Sequence, residues 1–195
     1  MAETAKRRAT YADLEAVHPH LVAEIIYGSL VTHPRPTPRH GIAHTSLSYE
    51  LGGPYQHGTG GGPGGWVFLT EPELHLGTHV VVPDLAGWKR ERLRINHDVV
   101  GITIAPDWLC EILSPSTERY DRNEKRRIYA QSGVEFCWLL DPRISQLECF
   151  RLVGGQWLLT NTFSDGEIVN ARPFEAASFA ISQLWPFDDV KKISE

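Results

Sequence analysis

The sequence predicts an α/β fold, with helices flanking a mixed central sheet and a C-terminal antiparallel extension. Apolar runs of strand length, such as residues 108–113 and 134–140, are separated by segments with helix-capping residues and many charges. After residue 141, strand-like runs follow one another with only glycine turns between them, which is typical of an antiparallel meander. At 195 residues, we expect one domain over residues 1–195.

The first elements are a short helix, a hairpin and a second helix. Thr10 is suited to cap the first helix, and Pro19 to end it. Residues 23–32 favour a hairpin, opened by Glu24, that turns at residues 27–29. After a proline-rich stretch, a second helix is expected over residues 40–49, ending at the Gly-Gly-Pro that follows.

A glycine-rich stretch separates this half from the centre. Eight of the 17 glycines fall in residues 52–65. Because no Gly-Lys-Ser/Thr follows them, we interpret the stretch as a connection and not as a phosphate-binding loop. Residues 66–76 and 79–85 then predict a strand pair, which ends at Asp84.

The centre of the chain places one acid in an apolar strand. Glu111 lies in the run 108–113, and a buried carboxylate needs a cation, a metal ion or several donors. Asp121 is suited to cap the helix that follows, which carries Lys125 and Tyr129 one turn apart. The sequence therefore predicts that strand and helix bring an acid and a base to one site, with the helix ending at Gly133.

Composition narrows the class of protein. Three cysteines without CxxC spacing fall in apolar runs, and the sequence has neither a secretion signal nor a long apolar span, so we expect a cytoplasmic protein that does not bind membranes. The net charge of −5 disfavours a simple nucleic-acid-coating protein. Nine of the 19 lysines and arginines nevertheless cluster in residues 89–94 and 119–127, which suits a polyanionic substrate.

Asp84, Glu111 and Lys125 together predict a metal-assisted hydrolase. Carboxylates from neighbouring strands hold hard divalent cations such as Mg²⁺, and the lysine would orient or activate a water molecule. Such a site suits attack on a phosphodiester, because the cation stabilises the developing negative charge.

These residues resemble the pattern of the PD-(D/E)xK nuclease superfamily, and in particular its Uma-type restriction endonuclease family. The matching segments, in order, are AEIIYGSL at residues 23–30, Pro83-Asp84, EILSPST at residues 111–117, Asp121, Lys125, Tyr129, GVEFCW at residues 133–138 and Asp141-Pro142. The resemblance covers about residues 10–187. It implies a restriction-endonuclease-like core and an endonuclease that hydrolyses phosphodiester bonds in nucleic acid, with DNA the expected substrate.

The resemblance also implies roles for individual residues. Asp84 and Glu111 would bind Mg²⁺ or Mn²⁺, Lys125 would be the catalytic lysine, and Glu24 an accessory acid. The superfamily lysine is expected two residues after the acid, where this chain has Leu113, so the lysine must have migrated to the helix. The acids of the family's hairpin are replaced by tyrosine and serine at positions 27 and 29.

We also expect substrate contacts from His40, Arg122 and Arg126. A homodimer is expected because cutting both strands of a duplex favours two sites.

Each of the candidate site residues also has a purely structural interpretation. Asp84 is also explained as a turn acid, Glu111 as half of a structural ion pair, and Lys125 as an exposed partner of Asp121. Glu24 is also explained as an edge-strand acid in solvent. A catalytically silent module that binds nucleic acid or protein is the alternative function.

A zinc hydrolase is a further rival. It would use His40 and His44, whose spacing is zinc-compatible although the metalloprotease glutamate is missing. The dipeptide at residues 97–98 suggests the His-Asp phosphohydrolases, but their fold is all-helical and this chain is rich in strands.

Overall fold

A computed structural model describes residues 7–94, 98 and 100–186. The α-helices are α1 (Tyr11–Glu15), α2 (Pro38–Leu51), α3 (Glu118–Tyr120) and α4 (Arg126–Gln131). Two wider π-helical turns, Gly52–Gln56 and Asp121–Lys125, continue α2 and join α3 to α4, and a 3₁₀ turn spans Ile181–Leu184. The strands are β1 (Leu21–Ile26), β2 (Ser29–Pro34), β3 (Trp66–Thr70), β4 (Leu74–Leu76), β5 (His79–Val81), β6 (Leu85–Lys89), β7 (Trp108–Ile112), β8 (Phe136–Asp141), β9 (Gln146–Val153), β10 (Gln156–Phe163), β11 (Ile168–Val169) and β12 (Phe179–Ala180).

The central sheet has six strands in the order β10-β9-β8-β7-β6-β3. Strands β7 and β8 run parallel, joined through the helical 118–131 segment, and the other pairings in this sheet are antiparallel. A parallel pair needs such a crossover, whereas a hairpin suffices for β9 and β10. The mixed sheet and its antiparallel C-terminal strands confirm the predicted fold class.

A second sheet has four strands in the order β2-β1-β5-β4. The prediction that residues 66–85 form one strand pair is wrong, because the structure has parts of four strands there. The first of them pairs with β6 in the central sheet, and β4 pairs with β5 in the small sheet. Pro83 and Asp84 fall between the two sheets, where the proline's missing N–H breaks no ladder.

The two faces of β7 have different surroundings because successive side chains of a strand point to opposite faces. Trp108, Cys110 and Ile112 pack into a core with α2 and the C-terminal segment. Leu109 and the following Leu113 pack into the other core, which includes residues of α4 and the small sheet. Glu111 shares that second face, which directs it towards the helix.

Phe174 lies at the centre of the first core. Its ring centroid is 4.8 to 5.6 Å from those of five aromatic residues, and these pairs are tilted or edge-on. The five are Tyr55, Trp66, Phe68, Trp108 and Trp138. Such packing anchors β7 and β8 from the side opposite Glu111.

Several element ends differ from expectation. The capping box of α1, with Thr10 and Asp13, is present as predicted. Helix α2 begins two residues earlier than predicted, and Gly52 does not end the helical path, because a π turn continues it to Gln56. Asp121 was predicted to cap its helix and does not, since Thr117 precedes α3 and the Asp121 carboxyl is buried inside the π turn.

The hairpin of β1 and β2 follows the prediction. Its turn residues Tyr27 and Gly28 have φ of 49° and 75°, the combination that matches the twist of two-residue hairpins. The turn fixes the register and sets Glu24 opposite Val31. Among the helices that the structure describes, none is long and apolar enough to cross a bilayer.

Candidate active site

Glu111 on β7 meets two residues of the helix that follows. The Nζ of Lys125 lies 2.9 Å from Oε1 of Glu111. The hydroxyl of Tyr129, one turn further along, donates a hydrogen bond to the same oxygen. Leu113, at the position where the superfamily pattern has its lysine, is buried in the second core. The lysine beside this acid therefore comes from the helix.

Lys125 is surrounded by oxygen atoms. Besides Glu111, its Nζ lies 3.1 Å from Oε1 of Glu24, 3.3 Å from Oδ1 of Asp121 and 3.3 Å from the carbonyl oxygen of Val82. The side chain is only 4% exposed. Burial lowers the pKa of Lys125, but the nearby carboxylates of Glu111 and Glu24 outweigh it and raise this pKa well above the ordinary value. The side chain is therefore an ammonium group.

Glu24 comes from the small sheet and is almost completely buried. Its Oε1 accepts a hydrogen bond of 2.7 Å from the backbone N–H of Val82, and its Oε2 lies 3.2 Å from Nε2 of His33. Burial raises the pKa of Glu24, but Lys125, His33 and the Val82 N–H together overcome that effect and lower it. Glu24 is therefore held as a carboxylate.

Asp84 lies level with Glu111 because it immediately precedes β6, which pairs antiparallel with β7. Its Oδ2 accepts a 2.6 Å hydrogen bond from the backbone N–H of Ile112, and its Oδ1 lies 3.0 Å from Nε2 of His40 on α2. Burial lowers the pKa of His40, whereas Asp84 raises it and prevails. These contacts fix the Asp84 carboxylate at the strand end.

Negative charge exceeds positive charge in this group, which we call the pocket cluster: Glu24, Asp84, Glu111, Asp121 and Lys125. Three of the four carboxyl groups contact the ammonium group of Lys125, and the fourth, that of Asp84, contacts His40. The pKa of Glu111 is well above its ordinary value, chiefly because the side chain is buried. The positive charge of Lys125 lowers this pKa, and the neighbouring acids Asp121, Asp84 and Glu24 raise it. The pKa of Asp121 is raised as well, chiefly by burial. These shifts favour either a proton on one of the carboxyl groups or an added cation between them.

The cluster opens into a pocket of about 200 Å³. One wall is the proline-rich segment 34–37 that leads into α2, and the other is the turn 114–117 after β7. Glu71 and Arg35 also line the pocket. Hydroxyl groups of Ser114, Ser116 and Thr117 bond to one another along the second wall. The pocket therefore has an acidic floor and a rim able to donate hydrogen bonds.

A divalent cation fits this set of donors. The hydrogen bond from Tyr129 and the closest contact of Lys125 both go to Oε1 of Glu111, and Oε2 has no hydrogen-bond partner within the described residues. Mg²⁺ takes oxygen ligands and binds through one or two carboxylates while keeping several waters. Asp84 and Glu111 are two carboxyl groups at neighbouring strands that line this pocket. The described residues contain no group of three or more His, Cys, Asp or Glu side chains that could hold a metal ion.

The two arginines expected to contact substrate lie elsewhere. Arg122 is 3.0 Å from Glu118 and 2.5 Å from Glu148, and Arg126 places its guanidinium carbon 4.0 Å from the ring centroid of Phe150. Neither arginine lines the pocket, although His40 does. A substrate role for these arginines stays a prediction.

Of the two histidines considered as zinc ligands, only His40 lines the pocket. His40 and His44 have ring centroids 6.5 Å apart, but His44 does not line the pocket and His40 Nε2 is bonded to Asp84. His97 of the His-Asp dipeptide lies outside the described residues.

Sequence reasoning missed three residues of the pocket. His33 holds Glu24, Asp121 is a buried member of the cluster, and Glu71 lines the rim with an unusual φ of 45°. A signal existed for His33, because the hairpin turn fixes its register with the Glu24 strand. For Glu71 the sequence carries no signal, since a non-glycine residue at positive φ is not apparent from composition.

The mixed sheet, the helix that crosses between β7 and β8 and the acid–lysine pocket define an α/β protein of the restriction-endonuclease-like class. The chain belongs to the Uma2 family, described as "Putative restriction endonuclease", whose model matches residues 8–182. This confirms the family resemblance identified in the sequence.

One solved structure has the same fold. It is described as a "putative nuclease belonging to DUF820" from Anabaena variabilis, with a TM-score of 0.73, 20% sequence identity, and coverage of 89% of this chain and 95% of that one. At this identity the likeness shows the fold alone. No curated protein matches the sequence.

Proposed function

We propose that the protein is a metal-dependent nuclease that hydrolyses phosphodiester bonds in nucleic acid, acting as a DNA endonuclease. The observation that carries this proposal is the 2.9 Å contact between Lys125 and Glu111 at the floor of a pocket that also holds Asp84. Membership of the restriction endonuclease family supports nuclease activity.

Asp84 and Glu111 would hold Mg²⁺ or Mn²⁺. When bound, such an ion polarises phosphoryl oxygens and makes water a stronger nucleophile. The chain's own residues prepare that site. Ile112 and His40 fix the Asp84 carboxylate, and Tyr129 fixes the rotamer of Glu111.

Lys125 would contribute positive charge and not proton abstraction. Its pKa is raised by the surrounding carboxylates, so it holds its proton at neutral pH. An ammonium group at this place keeps Glu24 and Glu111 together and stabilises negative charge that develops on a phosphate above them. This refines the expectation that the lysine activates water: it would orient the water and leave the proton to another acceptor.

Three finer points belong to the same proposal. DNA is the substrate that the family description favours. A homodimer would bring two such sites to one nucleic acid. A cytoplasmic location agrees with three free, buried cysteines, because oxidising compartments favour disulfides.

The test is cleavage of plasmid DNA, labelled oligonucleotides and RNA with Mg²⁺ or Mn²⁺. We expect the wild type to cut, and Glu111→Gln and Lys125→Met each to lose about 100-fold or more in rate, as expected when a charge-stabilising group is removed. The control is Glu175→Gln, since that side chain is 51% exposed, pairs with Arg172 and does not line the pocket.

Equal cutting by all variants would refute the site. A wild type that binds DNA but cuts with neither ion would favour the catalytically silent binding module. One observation supports that alternative: four oxygen atoms of the protein already surround Nζ of Lys125, so the lysine has a structural role without any substrate.

A further inference from the structure

A second, larger groove adjoins the acid pocket. Its volume is about 530 Å³. Four residues line both spaces, so the groove and the pocket are immediate neighbours: Val22, Arg35, Glu71 and Val82.

The groove differs from the pocket in chemistry. Much of its lining is aliphatic, from α1 and the loop after it, the start of β1, β3 and the 100–102 segment: Leu14, Val17, Leu21, Leu69, Val100 and Ile102. Leu21 is 39% exposed and Val100 78%. Two acids, Glu71 and Glu73, also line the groove, and the Glu73 carboxylate already accepts a hydrogen bond from the Tyr11 hydroxyl and contacts Nε2 of His75. An exposed apolar surface beside a polar site is typical of a ligand groove.

We propose that this groove holds the base and sugar of an unpaired nucleotide next to the phosphate at the acid pocket. The preferred substrate class is then single-stranded nucleic acid, or an unpaired strand projecting from a duplex. The inference rests on the proposed nuclease function and specifies its substrate.

The depth of the pocket favours an unpaired strand. Glu111 is 2% exposed and Lys125 4%, so a phosphate must enter between the two walls to approach them. In a duplex the base faces are stacked and paired, and an apolar groove beside the phosphate site has nothing to bind. In a single strand each base offers an apolar face beside its phosphate.

Arg35 lies where the two spaces meet. Its Nη2 donates a 2.8 Å hydrogen bond to the carbonyl oxygen of Pro19, which holds the guanidinium group at the boundary. A cation there suits the backbone phosphate that joins a nucleotide in the groove to the one at the acids. Charge and apolar surface thus alternate as they do along a nucleic-acid strand.

The experiment compares binding of a labelled 12-nucleotide single strand and a blunt duplex of the same sequence, by fluorescence anisotropy in Ca²⁺, with cleavage of both in Mn²⁺. Two variants place a charge in the groove, Leu21→Glu and Val100→Glu, and Val100 is exposed enough for the fold to be kept. Matched controls are Leu30→Glu and Val153→Glu, at residues 38% and 53% exposed that line neither space.

We expect the single strand to bind about tenfold more tightly than the duplex and to be cut faster. Each groove variant should weaken single-strand binding about tenfold, and each control less than about twofold. Equal binding and cutting of duplex and single strand, or groove variants that match their controls, would overturn the inference. The nuclease function would survive that failure of the substrate inference if wild type cuts either substrate and Glu111→Gln does not. Absence of both binding and cutting would overturn both.

Discussion

Two groups of charged side chains in this protein have opposite character. The pocket cluster is largely buried: three carboxyl groups surround Lys125, and Asp84 lies beside them, paired with His40. The surface cluster is partly exposed except for the buried carboxylate of Asp141, and its three carboxylates alternate with two arginines: Glu118, Asp141, Glu148, Arg122 and Arg143.

Their pKa values shift in opposite directions. Hydrogen bonding to Arg143 is the main cause of the lowered pKa of Glu118. Burial raises the pKa of Asp141, but its hydrogen bonds with Arg143 outweigh burial, so this pKa is lowered as well. The pKa values of Glu111 and Asp121 are raised, chiefly by burial. The surface cluster is electrostatically satisfied and serves the fold. The pocket cluster has more carboxyl groups than cations, and the raised pKa values show that a proton or a further cation must compensate.

Removing the cation should have very different consequences in the two clusters. We expect Lys125→Met to lower the free energy of unfolding by about 3 to 5 kcal/mol, because it leaves buried carboxylates unpaired. Arg143→Met should cost less, about 1 to 2 kcal/mol, because its contact with Glu118 is partly exposed and only its contact with Asp141 is buried. Urea denaturation with a chelator present measures both.

A second substitution shows whether charge is the cause. Lys125→Met combined with Glu111→Gln should regain part of the lost stability. If Lys125→Met alone costs no more than Arg143→Met, the pocket cluster is not held by its lysine.

The dependence of stability on pH should have opposite signs in the two clusters. Glu111 has a raised pKa in the folded state, so its favourable contribution is present at low pH and is lost as pH rises through that value. Without added metal, Glu111→Gln should therefore become more stable relative to wild type as pH rises. Glu118 has a lowered pKa, so its contribution is present above about pH 4.5 and is lost as pH falls.

Chemical denaturation from about pH 2.5 to pH 9 compares Glu111→Gln and Glu118→Gln with wild type, because the Glu118 contribution is lost below about pH 4.5. Stability differences that change with pH in the same direction for both variants would contradict the contrast between the clusters.

The link between Glu111 and the helix could be predicted from sequence because it depends on short-range periodicity. An acid within an apolar strand needs a partner, and a lysine and a tyrosine one turn apart share a helix face. The structure has both side chains on that acid. Thr10 and the turn at Tyr27 and Gly28 were readable for the same local reasons.

Features that depend on long-range pairing could not be read in this way. Apolar runs in residues 66–85 predict strands but do not say which sheet each strand joins, and here they divide between two sheets. Asp121 has good capping chemistry, yet the helix begins earlier and a π turn directs its carboxyl to Lys125. Tertiary contacts decided both cases. The single-domain organisation and the roles of the site residues stay predictions.

Calorimetric titration of Mn²⁺ tests most directly whether the pocket cluster is a cation site. Wild type should bind one ion per chain, Asp84→Asn and Glu111→Gln should each abolish that binding, and Glu118→Gln in the surface cluster should bind as wild type does. Binding that is unchanged in both Asp84→Asn and Glu111→Gln would contradict the assignment of the metal to these two carboxylates.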